Sequence, residues 1–154
     1  MSPMIYSYLN KDISLQNWKD AIHRVRDVKK SYSMLKDNLY QIVDEKNINE
    51  NSFNYQISLI SECPIYRVHF PGKPITPGAC LIEIAKELIE VYLNRTVKLT
   101  VAANVKFINM LDPGIYKFVN FLFIVKDQES PIFKVDLVIQ YEEVVFAKMI
   151  LQFE

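Results

Sequence analysis

The chain has 154 residues, eighteen Lys and Arg balance eighteen Asp and Glu, and half of it (50%) is apolar. This is the composition of one ordinary globular domain. It excludes an unstructured tail, which needs low hydropathy and high net charge, and it argues against a general nucleic-acid binder, which carries a basic excess. No stretch reaches the ~18 apolar residues of a membrane span. The opening MSPMIYSYLNKDIS lacks the basic start and apolar centre of a signal peptide. Cys63 and Cys80 cannot by themselves build a disulfide framework or a four-ligand zinc site. A reducing, cytoplasmic setting is expected.

Residues 1–13 carry weak signals and read as a loose arm. Ser14 suits an N-cap, and Leu15, Trp18, Ile22 and Val25 follow at helical spacing on one face. An amphipathic helix to about Lys30 is predicted, packed on the domain or a partner; a membrane-surface or acidic-partner role is the sharper alternative. A short helix is predicted around Leu35–Ile42, then a polar break over 47–52. FNYQISLI, residues 53–60, alternates as a strand does.

Between Cys63 and Gly78 lie Pro64, Pro71, Pro74 and Pro77 with Gly72. An ordered loop with no regular element is predicted there, because Ile65, Tyr66, Phe70 and Ile75 want burial. The next run, residues 79–93, is apolar on every side in its first half except at Glu83, which marks a buried helix. From Val97 the pattern is β: runs over 97–108, 115–125, 132–143 and 144–154, with turns at Asp112–Gly114 and 126–131. Short turns require antiparallel pairing, and one apolar helix among such strands is best buried by a sheet curved around it. The fold class is α+β.

Three features converge. His69 is one of two histidines, flanked by Val68 and Phe70 and followed by Pro71; alone, it reads as a satisfied structural group. Glu83 sits in an apolar helix, where burial favours the neutral acid; alone, it could share a solvent face with Glu87 and Glu90. Gly78 opens the helix, whose first N–H groups and positive dipole end suit a developing oxyanion; alone, it is an ordinary junction. Together they fit one reaction class. A base removes a proton α to a carbonyl, N–H groups hold the enolate-like charge, and an acid protonates a leaving hydroxyl. No GxGxxG, P-loop or GxSxG pattern offers a competing chemistry. His23 has no metal-ligand spacing. Cys80 reads as a small core residue, and nothing near Cys63 would activate it.

The stretch HFPGKPITPGACLIE, residues 69–83, resembles the signature of the hot-dog-fold 3-hydroxyacyl-[acyl-carrier-protein] dehydratases, and NVKFINMLDPG, residues 104–114, is similar to that family's strand ending in a Pro-Gly turn. The resemblance covers about residues 34–154, with residues 1–33 as an N-terminal extension. It implies a long central helix wrapped by a curved antiparallel sheet, here with the extra N-terminal helix. It also implies dehydration of 3-hydroxyacyl thioesters to trans-2-enoyl thioesters, without metal or organic cofactor.

In such an enzyme His69 is the base at the α carbon, Glu83 acts at the β-hydroxyl directly or through a water, and the Gly78 N–H binds the thioester oxygen. His69 of one subunit faces Glu83 of the other in a homodimer with shared active sites, with assembly into a trimer of dimers left open. The substrate arrives on the phosphopantetheine arm of acyl carrier protein, in fatty acid or related lipid or polyene synthesis. Val68, Phe70, Pro71 and Phe107 are the tunnel candidates. Tyr55, Phe118, Phe121 and Phe123 serve as tunnel wall or, for most of them, as core. Glutamate at 83 resembles the branch that does not isomerise the double bond. The sequence departs from the family at Val68, where Gly is usual, at Glu87, where Gln is common, and at Ile115, where Asp often follows Pro-Gly. An acyl-thioesterase and a non-catalytic hot-dog subunit binding acyl thioesters are the alternatives, since fold does not fix function.

Overall fold

The structure, a computed structural model, describes residues 35–69, 72–129 and 131–154. The amphipathic helix expected within residues 14–30 and the boundary at 33/34 lie outside the described residues. Six strands and two helices follow in chain order: β1 (Tyr40–Asn49), β2 (Ser52–Leu59), α1 (Ile65–His69), α2 (Gly78–Leu93), β3 (Leu99–Phe107), β4 (Phe118–Glu129), β5 (Ile132–Tyr141) and β6 (Val144–Phe153). The strands form one antiparallel sheet in the order β1-β2-β4-β5-β6-β3, so β1 and β3 are its edges.

Alternation explains the central strands. Val119, Phe121 and Phe123 of β4 are fully buried while Asn120, Leu122 and Ile124 between them are half-buried. Phe133, Val135, Leu137 and Ile139 of β5 and Met149, Leu151 and Phe153 of β6 repeat the pattern. Register turns these positions into rows across the sheet. Tyr55 pairs with Phe121, Phe121 with Ile139, Ile139 with Ala147 and Ala147 with Phe107, so one buried row crosses five strands. A second row runs Phe53, Phe123, Leu137, Met149.

Eleven of the sixteen residues of α2 are buried, and they join the sheet's inner face in a single core. Helix apolarity on every side has its cause here: it is covered along most of its length. Asn94 ends α2 in the left-handed region (φ 53°), and the N–H groups of Asn94 and Arg95 return to the carbonyls of Val91 and Glu90.

Three elements differ from the sequence reading. The helix expected at Leu35–Ile42 is a turn leading into β1, held by pairing of Tyr40 with Leu59 and Gln41 with Ser58. β1 runs into the expected polar break as far as Asn49, exposed on both faces beyond Ile42 with a bulge at Val43, and the break itself holds the turn at Glu50 and Asn51. Within the proline-rich segment, the five residues Ile65–His69 form α1: Tyr66 and Arg67 donate N–H bonds to the carbonyls of Cys63 and Pro64. A proline is tolerated at a helix start, and the next one, Pro71, comes only after α1 has ended. β4 also runs on to Glu129, through most of the expected turn.

Candidate active site

α2 begins where the proline-rich segment meets the end of β3. Pro77 occupies the N-cap position, and no side chain caps the helix there. The Cys80 and Leu81 N–H groups turn back to the Pro77 carbonyl, at 3.0 and 3.2 Å. Gly78 is buried, and the ring of Phe107 lies directly against it. A Cβ at position 78 would come within 2.8 Å of both Cε atoms of that ring. Glycine is thus required here by the close approach of an aromatic ring. Phe107, a tunnel candidate, is 2% exposed and packs on the helix start. Gly78→Ala is expected to cost about 1–3 kcal/mol through overpacking, with Phe107→Leu recovering most of the loss in urea denaturation. A neutral Gly78→Ala would contradict the packing.

The segment between α1 and α2 is tied at several points. The hydroxyls of Tyr66 and Thr76, 4% and 1% exposed, share a hydrogen bond of 3.0 Å. The Thr76 N–H donates to the Leu111 carbonyl at 2.9 Å. After β3, Asp112 accepts from the Gly114, Ile115 and Tyr116 N–H groups, which builds the Asp-Pro-Gly turn. These ties fix α1, whose last residue is His69, relative to the first turn of α2. Val68, next to His69, is 57% exposed, so its side chain faces outward from the chain. Phe70 and Pro71 lie outside the described residues.

Glu83 and Glu87 are one turn apart on α2 and both are 6% exposed. The solvent-facing alternative for these carboxylates is therefore corrected. Glu90 is half-buried and accepts the Val97 N–H at 3.1 Å. Glu87 has a defined structural task. Its Oε2 accepts the Leu35 N–H at 3.0 Å, and its Oε1 accepts the Lys36 N–H at 2.9 Å and the Tyr40 hydroxyl at 3.0 Å. Both oxygens act as acceptors, which a carboxylate can do and an amide cannot. This explains glutamate where the resembling family commonly has glutamine. Sequence reasoning missed the latch, because its partners are two backbone groups and a phenol from a distant turn.

Burial pushes the Tyr40 phenol far above the ordinary tyrosine range, and the carboxylates of Glu87 and Glu83 push it further. Burial also raises Tyr66, against the pull of its bond to Thr76. An unfolded tyrosine ionises near 10. Above that pH the unfolded state binds fewer protons than the fold, so stability falls as pH rises, by up to ~1.4 kcal/mol per pH unit for each such tyrosine. The Cys63 thiol, likewise raised by burial, adds in the same direction. Urea unfolding between about pH 9 and 11 should reveal this loss, and Tyr66→Phe should remove one tyrosine's share of the slope. A stability unchanged over that range would refute the assignment.

The arrangement is a buried carboxyl in the first two turns of a helix with an uncapped start, beside a short helix ending in histidine. Residues 45–149 match the ApeI-like family, described as ApeI dehydratase. The chain belongs to the ApeI-like dehydratase family. No curated protein matches it. Among solved structures, this ApeI-like chain is similar to the dehydratase heterocomplex ApeI:P from Xenorhabdus doucetiae, at 17% identity and TM-score 0.56, covering 73% of this chain and 96% of that one. It is also similar to a thioesterase from Haemophilus influenzae, at 12% identity and TM-score 0.56, covering 95% and 92%. A third is Cj0977, a sigma28-regulated virulence protein from Campylobacter jejuni, at 17% identity and TM-score 0.57, covering 84% and 94%. These likenesses establish the hot-dog fold that the ApeI-like chain shares with dehydratases and thioesterases alike. Among its described residues no helix is long and apolar enough to cross a membrane, and no cluster of three or more His, Cys, Asp and Glu could hold a metal.

Proposed function

We propose that the protein dehydrates 3-hydroxyacyl groups, carried as thioesters on the phosphopantetheine arm of an acyl carrier protein, to trans-2-enoyl thioesters in the cytoplasm. The observation that carries this reading is the buried carboxyl of Glu83, set in the first turns of α2 beside an uncapped helix start. Family membership supports it. In the proposed reaction His69 takes the proton from the α carbon. Charge moves onto the thioester oxygen, which the Gly78 N–H stabilises. The electrons then return as the β carbon–oxygen bond breaks, and Glu83 gives a proton to the departing hydroxyl, which leaves as water. The α C–H and β C–O bonds are lost and one C=C bond is gained, with no redox change.

Two subunits complete the site in this reading, with His69 of one facing Glu83 of the other. β3 is an edge strand, and an edge offers N–H and C=O groups for pairing. A homodimer is the first assembly to test. The Xenorhabdus relative is described as a heterocomplex, so pairing with a second, different subunit is the other. Acyl-thioester hydrolysis is the second functional reading, favoured by the shared fold with the Haemophilus thioesterase.

The test is an absorbance assay for the conjugated enoyl thioester, with carrier-linked 3-hydroxyacyl groups of several lengths and release of free thiol followed in parallel. Enoyl formation supports the dehydratase. Thiol release without it transfers the function to hydrolysis.

A further inference from the structure

A cavity lies at the C-terminal end of α2. It is about 190 Å³ in volume and is lined by Phe53, Ile89, Leu93, Val125, Phe133 and Val135. Phe53, Ile89, Phe133 and Val135 are buried and form an apolar wall on one side of it. Gly78 and Leu93 stand at opposite ends of α2, about 22 Å apart at 1.5 Å per residue. Ile82, Ala85 and Leu88, each at most 1% exposed, fill the helix–sheet interface between them. This space is therefore not the helix-start site described above.

Its mouth is polar: Glu50, Asn51, Tyr92 and Arg95 surround it. Arg95 follows the C-cap of α2, and its guanidinium carbon lies 5.8 Å from the centre of the Phe133 ring, which is a wall of the cavity. Cation–π contact of this kind holds a guanidinium over a ring while leaving its edge donors available. Among the described residues that guanidinium makes one long hydrogen bond, to the Thr96 carbonyl at 3.5 Å, and no ion pair. Glu50 and Arg95 are both exposed to water at the rim, and of the two it is Arg95 that is held over the cavity wall. Apolar walls with a fixed cation at the opening are the features of a site for an amphiphile.

We propose that this cavity binds a compact apolar group bearing an anionic end, of the size of an eight-carbon carboxylate. An apolar cavity of ~150 Å³ admits a benzene-sized guest, so this one takes a slightly larger tail. The tail displaces no committed polar group, and the anion meets Arg95. The inference is independent of the dehydratase reading.

The probe is octanoate, titrated into the whole protein and followed by the methyl resonances of Ile89, Leu93, Val125 and Val135. These should shift saturably. Arg95→Gln, an exposed substitution that leaves the core intact, should weaken octanoate about tenfold, the loss of one charge-assisted bond, and leave 1-octanol unchanged. Leu93→Phe, at the half-buried rim, should remove both. The proposal is overturned by methyls that do not move in folded protein, by shifts confined to Ile75 and Leu81 near the helix start, or by equal weakening of octanoate and octanol in Arg95→Gln.

Discussion

His69→Ala is expected to lower enoyl-thioester formation by about a hundred- to ten-thousandfold, the range that a positioned acid or base contributes, while the thermal midpoint stays near that of the wild type. His69 ends the one-turn helix α1, and an unchanged midpoint would show that the loss is one of chemistry and not of folding. Glu83→Gln should lower the same rate by a comparable factor, since the amide keeps the shape but has no acidic proton to give. Two further readouts separate the readings. If thiol release from an acyl thioester survives His69→Ala undiminished, the chain is a thioesterase. If mixing the two variants restores part of the activity, the two groups act from different subunits, because a mixed dimer then contains one intact site. Full activity in both variants would remove the proposed mechanism.

Glu87→Ala should destabilise the fold by about 2–5 kcal/mol. It leaves the Leu35 and Lys36 N–H groups and the Tyr40 hydroxyl without their acceptor, and each buried unmet donor costs ~1–3 kcal/mol. Against a total stability of about 5–15 kcal/mol that is a large share. Glu87→Gln should recover part of it: one oxygen remains, while the amide nitrogen would face a backbone N–H. Urea denaturation of the three proteins should rank them wild type, Gln, Ala. Activity offers the contrast. A latch lowers activity only as far as it lowers the folded fraction, so stabilising conditions should return Glu87→Gln to near wild-type turnover but should not rescue Glu83→Gln. Glu87→Ala as stable as wild type would contradict the latch.

How far the sequence could be read depended on whether the signal was local. β4, β5 and β6 alternate because one face of each meets α2, and this period of two is written in consecutive residues. α2 was legible for the same reason: an unbroken apolar run needs cover on all sides. β1 carried no such signal. Its residues beyond Ile42 are exposed on both faces, and only hydrogen bonding to β2 makes them a strand. α1 was hidden among prolines that stand outside it. The solvent-facing alternative for Glu87 arose because helical periodicity cannot reveal a bond between a carboxylate and backbone groups some fifty residues away in sequence. The proline-rich segment that carries the candidate site was the most legible functional feature, since prolines, glycine and histidine at fixed spacing are themselves local.

The order of the strands also determines how the chain can assemble. β3 precedes β4 and β5 in sequence, yet its partner is β6, the last strand. Leu93 ends the most apolar helix about fifty residues before Val144 begins β6. On the ribosome, α2 and β3 emerge before the strand that joins them to the rest of the sheet exists. The nascent chain therefore carries β3 unpaired, and α2 only partly covered, until β6 is synthesised. Closure of the long β3–β6 loop is then a late, non-local event of the kind that slows folding. The ten residues of β6 are thus the clasp of the whole roll: they pair β5 on one side and β3 on the other, and the helix start at Gly78 gains its Phe107 wall only when they are in place.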